Sequence, residues 1–310
     1  MRDLYTSLDD LVDVEARKVN FPPSLVDAES EDSKRDYSNV KPVVVDHYRN
    51  LRSKQTHEHV LKMHRHFKTR ERRPLTIWKA LEIMATIVDT SDPDISLPNL
   101  EHLYQTAEGL REEGAERWLI LAGLIHDLGK VMFFWDCEEE GTSIGAQWSV
   151  TGDSFITGCA FPTGSKCIFP EFNKLNADYN DSRYNSLNGV YEPNCGLGNT
   201  YASWGHDEYL YQVLTENGND CKHTLPPEAL YIIRFHSCYP WHSHGAYTHL
   251  ENEFDRKMRP IVKSFQKHDL YVCCSMLFYA VPSVLPSWDC SSLSLSLSLS
   301  LDLLLSACIL

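Results

Sequence analysis

No Cys-X-X-Cys pair occurs among the ten cysteines of this 310-residue chain, and their spacing follows no paired framework. That argues against a cysteine zinc site or a disulfide scaffold, and makes reduced thiols in the cytoplasm the expectation. Positive charge is also scarce: 29 Lys+Arg against 43 Asp+Glu give a formal net charge of −14. Nucleic acids and anionic membrane surfaces select a basic footprint, so neither is expected as a partner. The opening residues, MRDLYTSLDDLVDVEARK, lack an apolar run, which argues against a signal or transit peptide. From Leu270 to Trp288 the chain is uncharged and reaches the length of a membrane helix, but it carries Pro282 and Pro286 and has no basic flank.

What is present is mainly helical periodicity. Residues 1–33 are polar and acidic and read as a mobile arm. Val45–Phe67 is helical, basic and rich in histidine, and His57, His59, His64 and His66 read as a solvated face. A helix begins at Thr76, with Ile77, Leu81, Met84, Ile87 and Val88 near one side, and stops at the polar run Asp89–Asp92 before Pro93. His102 opens the next helix, and the apolar AERWLILAGLIHDLGK follows, with His126 and Asp127 in its last turns. Residues 137–200 lose the period; a short strand is expected in QWSVTGDSF, and so long an irregular stretch is commonly a lid or a binding wall. Helices resume at GHDEYLYQVL and at PPEALYIIRFHSCY, the latter with Thr224 as its expected cap, and a last one runs to about Lys267 with Pro260 as a possible kink.

Four histidines and two aspartates stand at the ends of successive helices: His102, His126, Asp127, His206, His236 and Asp269. Imidazole and carboxylate together suit iron or zinc, so the six are candidate metal ligands. Neighbours on a helix point about 100° apart, so His126 and Asp127 can both reach one site only near a helix end. Gly129 is expected to end that helix in the left-handed conformation. Lys130 then lies close enough to touch a bound oxygen. Each residue alone is ordinary; the His-Asp dipeptide itself recurs at His206-Asp207 and His268-Asp269.

The segments HLYQTAEGLR, GLIHDLGKV, YEPNCGLGNTYASWGHDEYLYQV, LPPEALYIIRFHSCYPWH and FQKHDLY resemble the myo-inositol oxygenase family, the di-iron branch of the HD-domain superfamily. The resemblance runs from about Arg35 to Tyr271. It implies an all-α, HD-domain-like helical bundle with minor strand content, one catalytic domain spanning 34–271. It implies two irons working as an Fe(II)/Fe(III) pair. His102, His126, Asp127 and Asp269 would hold one, His206 and His236 the other, and Asp127 would bridge. Substrate contacts are implied at Arg35, Asp89, Thr90, Ser91, Lys130, Gly152, Asp153, His236 and Ser237, with Lys130 and Asp127 in catalysis. The implied reaction opens the ring of myo-inositol with O2 to give D-glucuronate, in a protein expected to be a cytoplasmic monomer.

The chain departs from that pattern twice. Residues 131–147 are longer and less regular than the family leads one to expect and read as an insert near the lid. The tail 272–310, with strict Ser-Leu alternation over Ser292–Leu301, replaces an expected closing helix. Our hypothesis is that it is intron read-through or a gene-model error; a spliced transcript encoding it would sink the idea. Two other readings stay open: a metal-dependent phosphohydrolase of the wider superfamily, with only Lys130 and Arg35 on offer for phosphate, and a catalytically impaired product of an aberrant transcript.

Overall fold

The computed structural model describes residues 37, 39–69, 75–92, 97–216 and 223–269. Arg35, the arm 1–33, the uncharged stretch Leu270–Trp288 and the tail 272–310 lie outside the described residues. The described chain is mostly helical, with one two-stranded ribbon. Its helices are α1 (Pro42–Lys54), α2 (His57–Thr69), α3 (Ile77–Met84), α4 (Asn99–Glu112), α5 (Arg117–Ile125), α6 (His206–Glu216), α7 (Pro227–Phe235), α8 (Tyr239–His242) and α9 (Glu253–Phe265).

Local chemistry accounts for several boundaries. Pro42 occupies the first turn of α1, where a missing N–H leaves nothing unsatisfied. Thr76 caps α3 by accepting from the Lys79 N–H. Gly114, at φ +75°, turns the chain after α4, with the Ala115 N–H donating back to the Leu110 carbonyl. That tight connection folds α4 and α5 into a hairpin. The run Arg117–Trp135 is long and apolar enough to cross a membrane, but 78% of its most apolar window is buried inside the protein. It is a core element: α5 continues, after the His126-Asp127 turn, into a 3-10 helix over Leu128–Trp135.

Two apolar cores flank this spine. One gathers α2 to α6 around Met63, Leu103, Ala122, Leu128 and Val213. The other joins α7 and α9 to the irregular stretch through Phe155, Ile232, Trp241, Met258 and Phe265. A capping box between Asn252 and Asp255 starts α9, and Asp255 also accepts from the Leu197 N–H and the Tyr231 hydroxyl. One buried carboxylate therefore ties the last helix to α7 and to the irregular stretch at Leu197. The helix continues through Pro260.

Three expectations need correction. Of the four histidines read as a solvated face, only His66 is exposed. His57 meets Thr157 Oγ1 at 3.1 Å, and His64 meets Gln212 Nε2 at 2.7 Å. The irregular stretch and α6 cover that face of α2, and an imidazole reads as polar whichever way it points. QWSVTGDSF is turn structure rather than a strand. The ribbon lies just beyond it, as β1 (Ile156–Thr157) paired antiparallel with β2 (Tyr201–Ala202). Helix α7 is entered through Pro226 with no side-chain cap, so Thr224 has no such role. Proline preset at the first turn makes the cap dispensable.

Candidate metal centre

Helix ends bring the six candidate ligands together. His126 is the residue that closes α5, and Asp127 is the one before the 3-10 helix. The change of helix type at that point lets two adjacent side chains serve one site. His236 closes α7 in the same way, and His206 opens α6. His102 sits in the first turn of α4, and Asp269 follows the turn after α9. Helix-terminal backbone also orients the rings. His126 Nδ1 lies 2.8 Å from the Gly123 carbonyl, and His236 Nδ1 lies 3.0 Å from that of Ile233, each three residues back. His206 Nδ1 meets the Val150 carbonyl at 2.6 Å. A carbonyl can only accept, so the hydrogen-bond network puts the proton on Nδ1 and aims the Nε2 lone pair inward.

Asp127 stands at the middle. Its Oδ1 is 2.9 Å from His206 Nε2 and 3.7 Å from His236 Nε2. Its Oδ2 is 3.8 Å from His102 Nε2 and 3.7 Å from His126 Nε2. Asp269 Oδ1 faces His102 and His126 at 2.9 and 3.0 Å. Two triplets, His102-His126-Asp127 and Asp127-His206-His236, each place their donor atoms within 4.8 Å of one another. A third, His126-His236-Asp269, overlaps both, so the six form one continuous cluster.

The donor set fits a cation. His206 Nε2 and His236 Nε2 approach to 3.0 Å, and the buried His126 Nε2 faces two carboxylates, Asp269 Oδ1 at 3.0 Å and Asp127 Oδ2 at 3.7 Å. Lone pairs facing each other and facing carboxylates are what a metal ion reconciles. Burial alone would raise the Asp127 carboxyl, but Lys130, His126 and His206 hold it well below the usual carboxylate range. Asp269 is depressed in the same way: burial opposes, and His126 and His102 prevail. Burial likewise opposes a charge on His236, yet Asp127 and Asp269 push it up to about 9. Carboxylates that draw a proton to that ring also draw a metal ion, which displaces the proton on binding.

Lys130 Nζ spends its three donors on Asp89 Oδ2 at 2.9 Å, Asn99 Oδ1 at 2.9 Å and Asp127 Oδ2 at 2.8 Å. Asn99 Nδ2 in turn donates to Asp127 Oδ2 at 2.8 Å. Asn99 escaped the sequence reading, although its place one helical turn before His102 puts both on the same side of α4. Gly129 does not take the left-handed conformation expected of it. Its requirement is space: a Cβ there would stand 1.9 Å from the His206 carbonyl oxygen. The 3-10 helix can approach the start of α6 only because that atom is missing.

Beside the ligands opens a cavity that is continuous with solvent. His102, Asp127, His206, His236 and Asp269 line it, with Asp89, Ser91, Lys130, Gly152, Asp153 and Ser237. Tyr48, Asp92 and Tyr239 line it too and were not foreseen. His126 stands behind this surface, within the cluster. Thr90 does not line the cavity; its N–H and hydroxyl both bond Gln147 Oε1 at 3.0 Å. Asp153 is held by the fully buried Arg52, whose guanidinium donates to Oδ2 at 2.5 Å. Burial still pushes the Asp153 carboxyl above its ordinary value. Its Oδ1 makes no hydrogen bond within the protein, which leaves an acceptor for a hydroxyl.

The family model for myo-inositol oxygenase matches residues 41–286. The chain belongs to the myo-inositol oxygenase family. It is 45% identical over 241 residues to inositol oxygenase of Dictyostelium discoideum, covering 76% of this chain and 79% of that protein. It is 43% identical over 242 residues to inositol oxygenase 2 of Arabidopsis thaliana, covering 76% and 73%. With inositol oxygenase of Mus musculus the identity is 40% over 250 residues, covering 80% and 83%. As a member of the myo-inositol oxygenase family the chain is an iron-dependent enzyme, and its buried His/Asp cluster has the donors such an enzyme needs.

Proposed function

We propose that this chain opens the ring of myo-inositol with O2, at two irons held by His102, His126, Asp127, Asp269, His206 and His236. The balance is one myo-inositol and one O2 to one D-glucuronate, one water and one proton. The observation that carries the reading is the Asp127 carboxylate, one oxygen turned to His206 and His236 and the other to His102 and His126. That is the disposition a bridging ligand requires. The irons, when bound as an Fe(II)/Fe(III) pair, supply the electron transfer to O2 and a Lewis acid for the substrate oxygens.

The protein's part is to hold a neutral polyol by its hydroxyls. Asp89 and Ser91 offer a carboxylate and a hydroxyl on one wall, and Asp153 offers its free Oδ1 on the other. A polar wall of this kind rejects analogues that leave its groups unpaired. Lys130 Nζ holds its protons against Asp89, Asn99 and Asp127, and a substrate oxygen competes with Asp127 Oδ2 for one of them. Donation from an ammonium stabilises negative charge as it develops on that oxygen. Among the described lining residues Lys130 is the only lysine or arginine, which disfavours a phosphate substrate. We place the enzyme in the cytoplasm as a monomer, with neither nucleic acid nor membrane as partner.

Oxygen uptake by the purified, iron-loaded chain tests the proposal. Inositol-dependent uptake with glucuronate formed mole for mole is expected, and Lys130→Ala should keep its iron but lose about a hundredfold or more in turnover. Two irons bound with no inositol-dependent uptake would overturn the reading.

A further inference from the structure

The Asp89–Ser91 wall is a loop whose base is closed by main chain. Val88 and Pro98 form an antiparallel bridge, and the Asn99 N–H donates to the Ile87 carbonyl at 2.8 Å. From the cavity side, Lys130 holds Asp89 Oδ2, while Asp89 Oδ1 accepts from the Ser91 N–H and hydroxyl. From the other side the loop is held by one carboxamide, that of Gln147, which is 3% exposed. Gln147 Oε1 accepts the Thr90 N–H and the Thr90 hydroxyl, both at 3.0 Å. Gln147 Nε2 donates to the Val88 carbonyl at 3.1 Å and to the Ile144 carbonyl at 3.2 Å.

A carboxamide presents the same acceptor and donor as a peptide group. Gln147 therefore serves residues 88 and 90 as a neighbouring strand would, and all its hydrogen-bonding capacity is spent doing so. Its main chain does a second job. The Gln147 carbonyl accepts from the Val150 and Thr151 N–H groups at 2.9 and 3.0 Å, starting the turn that leads into Gly152 and Asp153. The two polar walls of the cavity thus meet in one residue. That residue is the last of the segment the sequence marks as an insert.

We infer that Gln147 is a positioning residue for polyol binding: it fixes the Asp89–Ser91 loop relative to Gly152-Asp153 without touching the substrate. The inference rests on the proposed inositol reaction for the identity of the ligand. A leucine at 147 has about the right volume and none of the four bonds. A glutamate keeps the acceptor for Thr90 but turns a carboxylate against the Val88 and Ile144 carbonyls.

The test compares the iron-loaded wild type with Gln147→Leu, Gln147→Glu, Thr90→Val and the double variant Thr90→Val/Gln147→Leu. Equilibrium binding of myo-inositol, kcat, KM, iron per chain and hydrogen exchange at the Thr90 amide are measured on each. Gln147→Leu and Gln147→Glu should weaken inositol binding and raise KM about tenfold, with iron content unchanged and kcat moved far less. Thr90→Val, which loses one of the two bonds to Oε1, should shift affinity the same way by less. The double variant should bind no more weakly than Gln147→Leu alone, since the hydroxyl's partner is already gone. The Thr90 amide should exchange faster in Gln147→Leu, a readout that needs no substrate. Wild-type affinity in a folded Gln147→Leu, or fully additive losses in the double variant, would overturn the inference. If wild-type protein fails to bind inositol, the proposed function fails instead, and an unchanged Thr90 exchange rate would then overturn the inference by itself.

Discussion

The wall of the cavity that carries imidazoles and carboxylates is made of helix ends, whereas the walls from Asp89–Asp92 and Gly152-Asp153 have no regular structure. On the helical side, orientation comes from backbone groups that a helix end leaves over: His126 and His236 each turn Nδ1 to a carbonyl three residues back. On the irregular side, Ser91 steadies Asp89 locally, and the other orienting groups are side chains from far away in sequence. Arg52 reaches Asp153, Gln147 reaches residues 88 and 90, and Lys130 reaches Asp89. A metal needs a few donors held rigidly, and helix termini supply that locally. A polyol needs hydroxyl partners spread over several directions, and only distant segments brought together supply that.

The contrast can be broken from either side, and the irregular wall should suffer most. Arg52→Met leaves Asp153 buried without its partner and should cost about 3–5 kcal/mol in chemical denaturation. Adding Asp153→Asn should recover part of the stability while inositol affinity stays low. On the helical side, Gly129→Ala drives a methyl against the His206 carbonyl and should cost about 1–3 kcal/mol. Iron per chain should fall with it, because α6 carries His206. Gly114→Ala is the control. No atom stands within 4 Å there, so only its φ of +75° opposes a side chain, and it should lose about 1 kcal/mol with full iron content.

A further effect appears only on acidification. His64 is pushed down to about 3 by burial, reinforced by the positive charges of Arg234 and Lys68. Between there and its ordinary value of 6.5, the unfolded chain holds a proton that the folded chain lacks, so stability falls as pH drops through that window. His64→Leu should flatten the decline of metal-free protein by about 1.4 kcal/mol per pH unit, measured by urea melts across the window. The smallest change expected is Asn252→Ala, which opens the capping box of α9 for about 1 kcal/mol and leaves the cavity intact. A large loss of inositol affinity in that variant would show that α9 does more than carry Asp269.

Much of the helical side was legible in the sequence because its signals are local. An apolar run ending at His126-Asp127, and an imidazole after the periodic stretch that ends at Phe235, mark inward-facing helix ends from a dozen residues of context. Gly129 was noticed for the wrong property. Its conformation is ordinary, and the atom it makes room for belongs to His206, which no local pattern reveals. The histidines of α2 failed for the same reason: what covers them comes from beyond residue 140.

The sequence by itself determined the helical class, the six candidate ligands and the family, since periodicity and long motifs are written in consecutive residues. Only the tertiary structure decided that the two Asp127 oxygens face different imidazoles, that Asn99 and Asp89 share the Lys130 ammonium, and that Thr90 turns away from the cavity toward Gln147. Those are contacts across more than two dozen residues, set by how close-packed helices and loops meet. Short-range preferences carry no information about such distances.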